Sequence, residues 1–181
     1  MIESIASVFI AFGKHFLAMP YSKVVLLLLM LWYLAKIFRH FNSKSRISKL
    51  FNIPNAEYTL VGTDLNTWLP ACKLFVSGIT GKPDAAYINY RSSHGIIGEY
   101  KSRKYKGNIK LYERYQVTLY MGMLKSKYRL KEISGRLRYA DKCVDVPFDP
   151  DLYRRLVLIR DEAKKSLAKG RPINPLPIYK R

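Results

Sequence analysis

Apolar and polar positions divide the chain into two stretches of different character. Val24 to Ala35 is an unbroken apolar run bounded by Lys23 and Lys36. It is shorter than the roughly 20 residues of a spanning helix. Both lysines can snorkel, however, and Ile37 and Phe38 continue the apolar stretch. Leu17, Ala18 and Met19 extend it the other way, with Pro20 near the helix start. The expectation is one membrane-anchoring helix over about residues 17–38, with Trp32 and Tyr33 near one end where interfacial aromatics belong. A buried helix of a soluble fold is the alternative for so short a run. Ahead of it, Ile2, Ile5, Phe9, Phe12 and Phe16 recur at near-helical spacing. That segment is either an amphipathic helix on the membrane surface or a helix packed on the domain. Asn42 to Lys49 is short, polar and basic and reads as a linker.

From Glu57 the pattern becomes that of a small α/β domain. Tyr58 to Val61 and Leu74 to Val76 are β-prone stretches ended by Gly62 and by Ser77-Gly78. Ala85 to Tyr90 and Gly95 to Tyr100 flank the polar turn Arg91 to His94, which predicts a hairpin. Lys110 to Lys125 carries Leu111, Tyr115, Leu119 and Met123 four apart, a helical stripe. Leu137 to Val146 returns to a strand pattern. Asp149 is a good N-cap and Pro150 suits the first helical position. Leu152, Leu156, Ile159, Ala163 and Leu167 then predict one helix that Gly170 stops. The expected organisation is an N-terminal segment and anchor over 1–41, a basic linker over 42–55, the domain over 56–170 and a basic, proline-rich tail over 171–181.

Charge narrows the function. With 32 Lys and Arg against 13 Asp and Glu, the chain of 181 residues carries a net charge of +19. That implies an anionic partner, nucleic acid or lipid headgroups. Lys36, Arg39, His40, Lys44, Arg46 and Lys49 follow the apolar run, against Lys14 and Lys23 before it. The positive-inside rule then places everything after about residue 36 in the cytoplasm, so in a bacterium the run would sit in the inner membrane. The same asymmetry, with no small-residue cleavage site, argues against a signal peptide. Cys72 and Cys143 are the two cysteines. Too few for a structural zinc site or an iron–sulfur cluster, they read as reduced, partly buried thiols.

Candidate chemistry gathers on the predicted hairpin. Gly81-Lys-Pro-Asp84 puts a carboxylate where one strand begins, and Glu99-Tyr-Lys101 puts a carboxylate and a lysine near the end of its partner. Alternate strand residues share a face, so Glu99 and Lys101 point together, and the turn brings Asp84 opposite them. Two clustered carboxylates repel unless a cation joins them, and hard oxygen donors suit Mg²⁺ or Mn²⁺. Just beyond, Arg103, Lys104, Lys106 and Lys110 are interleaved with Tyr100, Tyr105 and Tyr112. This run is either a DNA-contacting surface or a solvated loop.

The order G-x-P-D, hairpin, E-x-K resembles the PD-(D/E)xK nuclease superfamily. Gln116-Val-Thr-Leu-Tyr120 on the following helix is similar to the Q-x-x-x-Y element of its RecB-like branch, and residues 135–139 and the helix after them resemble that branch's continuation. The resemblance covers roughly residues 74–168. It implies a restriction-endonuclease-like core, a mixed sheet flanked by helices. It further implies that Asp84, Glu99 and the Tyr100 carbonyl hold Mg²⁺ or Mn²⁺, that Lys101 assists the water or the transition state, and that Gln116 and Tyr120 position DNA. The chain departs from that branch in lacking an evident upstream ligand on a helix, with Glu57 and Asp64 the candidates. The expected function is a membrane-anchored, metal-dependent deoxyribonuclease working on the cytoplasmic side. The alternative is a catalytically degenerate, membrane-tethered protein that binds nucleic acid or serves as an adaptor.

Overall fold

The structure is a computed structural model that describes residues 20–66, 69–174 and 176. The apolar spacing between Ile2 and Phe16 lies outside the described residues, as does most of the segment from 175 onward. Two compact units divide between Asn42 and Ser43.

Helix α1 runs over Pro20–Leu50. Its stretch Lys23–Leu50 is long and apolar enough to cross a membrane, and none of that stretch's apolar window is buried. The described side chains from Val24 to Leu34 are exposed. The expected linker at 42–49 is instead the last turns of this helix. Its polar composition conceals two inward positions, Ile47 and Ser48, which are buried with Phe51 and Ile53. The helix closes with Asn52 in the left-handed region at φ 54. Ile53 N donates to the Ser48 carbonyl at 2.9 Å and Asn52 N to the Lys49 carbonyl at 3.1 Å, a Schellman closure that satisfies two end carbonyls.

The second unit is α/β. Strands β1 (Thr59–Thr63), β4 (Ala85–Asn89), β5 (His94–Lys101), β6 (Glu132–Tyr139) and β7 (Cys143–Pro147) form one mixed sheet in the order β1-β4-β5-β6-β7. The pair β5 and β6 is parallel; the other neighbours are antiparallel. A separate hairpin joins β2 (Leu74–Val76) to β3 (Ile79–Gly81). The strand β3 is too short to show alternation. The predicted strand over 137–146 is in fact two, because β6 begins at Glu132 and turns back at residues 140–142.

Helix α2 (Leu111–Tyr128) connects β5 to β6 and covers one face of the sheet. Its buried residues include Glu113, Val117, Thr118, Met121, Met123 and Leu124. Of the predicted stripe, Met123 is buried, Tyr115 and Leu119 are half-buried, and Leu111 is exposed. Val117 and Met121 meet Ile97, Leu137 and Tyr139 there, and Phe51, Ala85, Tyr87 and Ile96 form the core of the other face. Each fully buried large apolar side chain contributes about 1.5–3 kcal/mol.

The expected final helix is two, α3 (Pro150–Leu158) and α4 (Arg160–Lys169). Asp149 caps the first by accepting from Leu152 N at 2.9 Å. The break at Ile159 sits beside Arg160, whose guanidinium donates to the Ser77 carbonyl and pairs with Asp161. Leu152 and Leu156 are buried as expected, whereas Leu167 is 83% exposed, so the apolar face ends with α3.

Candidate active site

The β4–β5 hairpin brings the two carboxylates together. Ala85 pairs with Gly98, so Asp84 stands one step before β4 and level with Glu99. The Asp84 carboxylate accepts from Tyr100 N at 2.7 Å. Its own carbonyl accepts from the buried Thr63 hydroxyl at 2.6 Å and from Asp64 N at 3.0 Å. The end of β1 thus fixes the backbone from which Asp84 projects. Thr63 and Asp64 carry no motif that a sequence could advertise for this role.

Glu99, Lys101, Gln116 and Tyr120 form one hydrogen-bonded chain. Lys101 Nζ donates to Glu99 Oε1 at 3.1 Å and to Gln116 Oε1 at 3.0 Å. Gln116 Nε2 donates to the same Glu99 oxygen at 2.7 Å and to the Tyr120 hydroxyl at 3.3 Å. An ammonium has three protons, so Lys101 keeps one for another acceptor. Tyr120, accepting from Gln116, keeps its own hydroxyl proton. The four-residue spacing of Gln116 and Tyr120 on α2 places both over the hairpin.

Gly81 explains the first letter of the motif in physical terms. A Cβ there would fall 2.6 Å from the Tyr120 ring, so a side chain at 81 would displace Tyr120 from the site.

The other oxygen of Glu99, Oε2, is buried and makes no well-formed hydrogen bond within the protein. Burial raises the Glu99 pKa, the Asp84 charge raises it further, and Lys101 and the nearby Asp84 backbone N–H pull it back. Burial likewise raises Asp84, while the Tyr100 N–H and Lys101 lower it and Asp64 adds repulsion. Two carboxylates held above their ordinary range, one with an orphaned oxygen, form a donor set that fits a hard divalent cation. In a strand, the N–H and C=O of one residue face the same neighbour. The Tyr100 carbonyl therefore faces the side on which its N–H meets Asp84, where it can complete the set.

Of the two upstream candidates, Asp64 lies beside the site: its charge acts on Asp84 and its carboxylate pairs with Lys82. Glu57 is exposed, and its charge acts on the Tyr58 phenol. Among the described residues, no group of three or more His, Cys, Asp or Glu side chains gathers to hold a metal.

The basic loop divides. Lys104, Lys106 and Lys110 are exposed, but Arg103 is engaged within the protein. Its guanidinium meets buried Glu113 at 2.8 and 3.3 Å and lies 4.8 Å from the centre of the Tyr139 ring. Glu113 also accepts from the Tyr139 hydroxyl at 2.9 Å and from Lys110 N at 3.1 Å. The loop is thereby anchored at Arg103 and at the start of α2, with its lysines turned outward.

No known protein-family model matches the chain, and no curated protein matches it. A solved crystal structure, that of SSO0001, aligns with 80% of this chain and 68% of its own length, at 19% sequence identity and a TM-score of 0.37. So distant a likeness leaves the functional argument to the residues themselves.

Proposed function

We propose that the chain is a metal-dependent nuclease of the PD-(D/E)xK type, close to the RecB-like branch, with a restriction-endonuclease-like core and α1 as its membrane anchor. The observation that carries this reading is the unpartnered, buried Glu99 oxygen beside Asp84, joined through Glu99 to Lys101, Gln116 and Tyr120. A structural glutamate would have that oxygen paired, because an unsatisfied buried acceptor costs about 1–3 kcal/mol. Asp84, Glu99 and the Tyr100 carbonyl would hold Mg²⁺ or Mn²⁺ in this reading. The cation supplies a lowered water pKa and positive charge at the phosphate.

The chain's own groups do the rest. A water attacks phosphorus in line with the leaving oxygen, and its oxygen stays bonded to phosphorus as the bond to the leaving oxygen breaks. One of its protons ends on that leaving oxygen as a hydroxyl, and the other is given up to solvent. The free Lys101 proton is directed at the charge that grows on the non-bridging oxygens or at the attacking water. The Tyr120 hydroxyl and Gln116 hold the neighbouring backbone, and Lys104, Lys106 and Lys110 contact phosphates farther along. DNA is the proposed substrate, met on the cytoplasmic side, the side that the excess of cations after the apolar run favours for the domain.

A second reading, a degenerate and non-catalytic tethered protein that binds nucleic acid or a partner protein, is favoured by the engagement of Asp64 with Lys82 in place of a third ligand. The two separate in one experiment: the full chain in detergent, incubated with single- and double-stranded DNA and Mg²⁺ or Mn²⁺. Cleavage that Asp84→Ala and Lys101→Ala each reduce by at least about 10²-fold supports the nuclease. DNA binding that is equal in all three proteins, with no cleavage in any, supports the degenerate reading instead.

A further inference from the structure

The residues directly behind the carboxylates belong to the end of α1. Phe51, the first residue after that helix, is fully buried. Its ring lies against Gly98 so closely that a Cβ there would fall 2.9 Å from two ring carbons. Gly98 precedes Glu99 in the chain and pairs with Ala85, which follows Asp84. One ring therefore backs the strand residues next to both carboxylates.

The same end is gripped from the neighbouring strand. Gly98 stands opposite Arg136 on β6, and Arg136 stands opposite Asp145 on β7. Arg136 Nε donates to Asp145 at 2.6 Å, while its NH1 donates to the Phe51 carbonyl at 3.1 Å and the Asn52 carbonyl at 2.8 Å. Carbonyls at a helix end have no partner of their own, and a cation suits them. A single row across the sheet, Ala85, Gly98, Arg136 and Asp145, thus seats the end of α1 one residue away from the site.

We propose that Phe51 and Arg136 are positioning residues for the carboxylate pair, which makes the last turn of α1 part of the support of the site. This rests on the metal-binding reading of Asp84 and Glu99. Phe51 limits movement of the hairpin normal to the sheet, and Arg136 fixes where the ring sits. Without them the two carboxylates keep their identity but lose the spacing a small cation requires. Supports of this kind alter metal affinity or activity by about 10–100-fold.

The test uses the full chain in detergent and compares the parent with Phe51→Ala, Phe51→Leu, Arg136→Gln and Leu130→Ala, the last a buried position on the α2 side of the sheet. Mn²⁺ affinity by calorimetry, melting temperature, and kcat and KM on DNA are measured for each. The expected result is Mn²⁺ affinity lower by about 10–100-fold in Phe51→Ala and Arg136→Gln, with reduced kcat and unchanged KM. Phe51→Leu recovers most of it, and Leu130→Ala lowers the melting temperature while Mn²⁺ affinity stays at the parental value. Parental Mn²⁺ affinity in Phe51→Ala, with only a lower melting temperature, overturns the proposal and leaves the nuclease reading standing. A parent that binds Mn²⁺ without cleaving removes the catalytic claim alone, and the affinity comparison still decides the positioning one. A parent that neither binds Mn²⁺ nor cleaves removes both.

Discussion

Glu99 on β5 and Glu113 on α2 are both buried at the interface between the sheet and that helix, yet their surroundings are opposite. Glu113 accepts hydrogen bonds from Arg103, Tyr139 and the Lys110 backbone N–H, so both its oxygens are occupied. Burial alone would raise its pKa, but those bonds and the Arg103 charge bring it below the ordinary value. Glu99 receives two side-chain bonds on one oxygen, has no well-formed hydrogen bond on the other, and faces Asp84. The first is a carboxylate whose environment is complete without anything added. The second would gain from a further positive charge beside it, which is the difference the proposed ligand role rests on.

The largest effect expected from this contrast is on folding. Glu113→Ala leaves the buried Tyr139 hydroxyl and the Lys110 N–H without an acceptor and opens a cavity, for a loss of about 3 kcal/mol. Glu99→Gln, in metal-free protein, removes a repelled charge and leaves stability equal or higher. Denaturant unfolding of both variants measures this. If Glu99→Gln proves as damaging as Glu113→Ala, Glu99 is a structural acid after all.

Next in size is the response to metal. Mn²⁺ at about 100 times its Kd stabilises a protein that binds it only when folded by about 2.7 kcal/mol. The parent is expected to show that gain and Glu113→Ala to show it from a lower starting point. Glu99→Gln and Asp84→Ala are expected to lose it, as read from melting curves with and without Mn²⁺. An equal gain in all four proteins places the metal elsewhere.

The two glutamates also predict pH slopes of opposite sign. A carboxyl whose folded pKa is raised holds its proton better in the native state, so stability falls as pH rises from the ordinary value of 4.5 towards the folded value. This is Glu99, titrating with Asp84 as a pair. A carboxyl whose folded pKa is lowered contributes stability that is complete above 4.5 and lost as pH falls through the folded value, which is Glu113. Metal-free unfolding followed from about pH 3 to pH 8 is expected to show a shallower decline with rising pH in Glu99→Gln. It is also expected to show less acid-side loss in Glu113→Gln, relative to its own plateau. A Glu99→Gln curve parallel to that of the parent would remove the electrostatic part of the contrast.

Only one side of this contrast can be read in the residues themselves. Glu99 stands two positions from Lys101 in an alternating strand, and Asp84 stands where the partner strand starts, so hairpin geometry alone brings the three together. Glu113 looks like a solvated helix acid, because its partners Arg103 and Tyr139 lie 10 and 26 residues away and only folding joins them. The end of α1 was hidden for a related reason. Asn42 to Lys49 is polar enough to read as a linker, and the few inward positions that make it part of the core are too sparse to set a period. In the last helix the apolar spacing runs on past the point where there is anything to pack against, which is why Leu156 is buried and Leu167 is not. Local alternation announces what neighbours in the chain do, whereas partners supplied across the fold leave no periodic trace.

The smallest expected effect concerns the basic loop, where Arg103 and the lysines look alike in sequence and differ in the fold. Lys104, Lys106 and Lys110 are exposed, so replacing any one with Ala frees at most one DNA phosphate. DNA affinity then falls modestly, and the slope of log K against log salt becomes shallower by about 0.9 for each duplex phosphate no longer neutralised. Arg103 is held by Glu113 and the Tyr139 ring, so Arg103→Ala should instead lower the melting temperature and leave the salt slope at the parental value. Salt titrations of DNA binding, beside melting curves, separate the two classes. A reduced salt slope in Arg103→Ala at an unchanged melting temperature would make Arg103 a phosphate ligand, and the Glu113 cluster would then belong to the DNA surface and not to the frame that holds it.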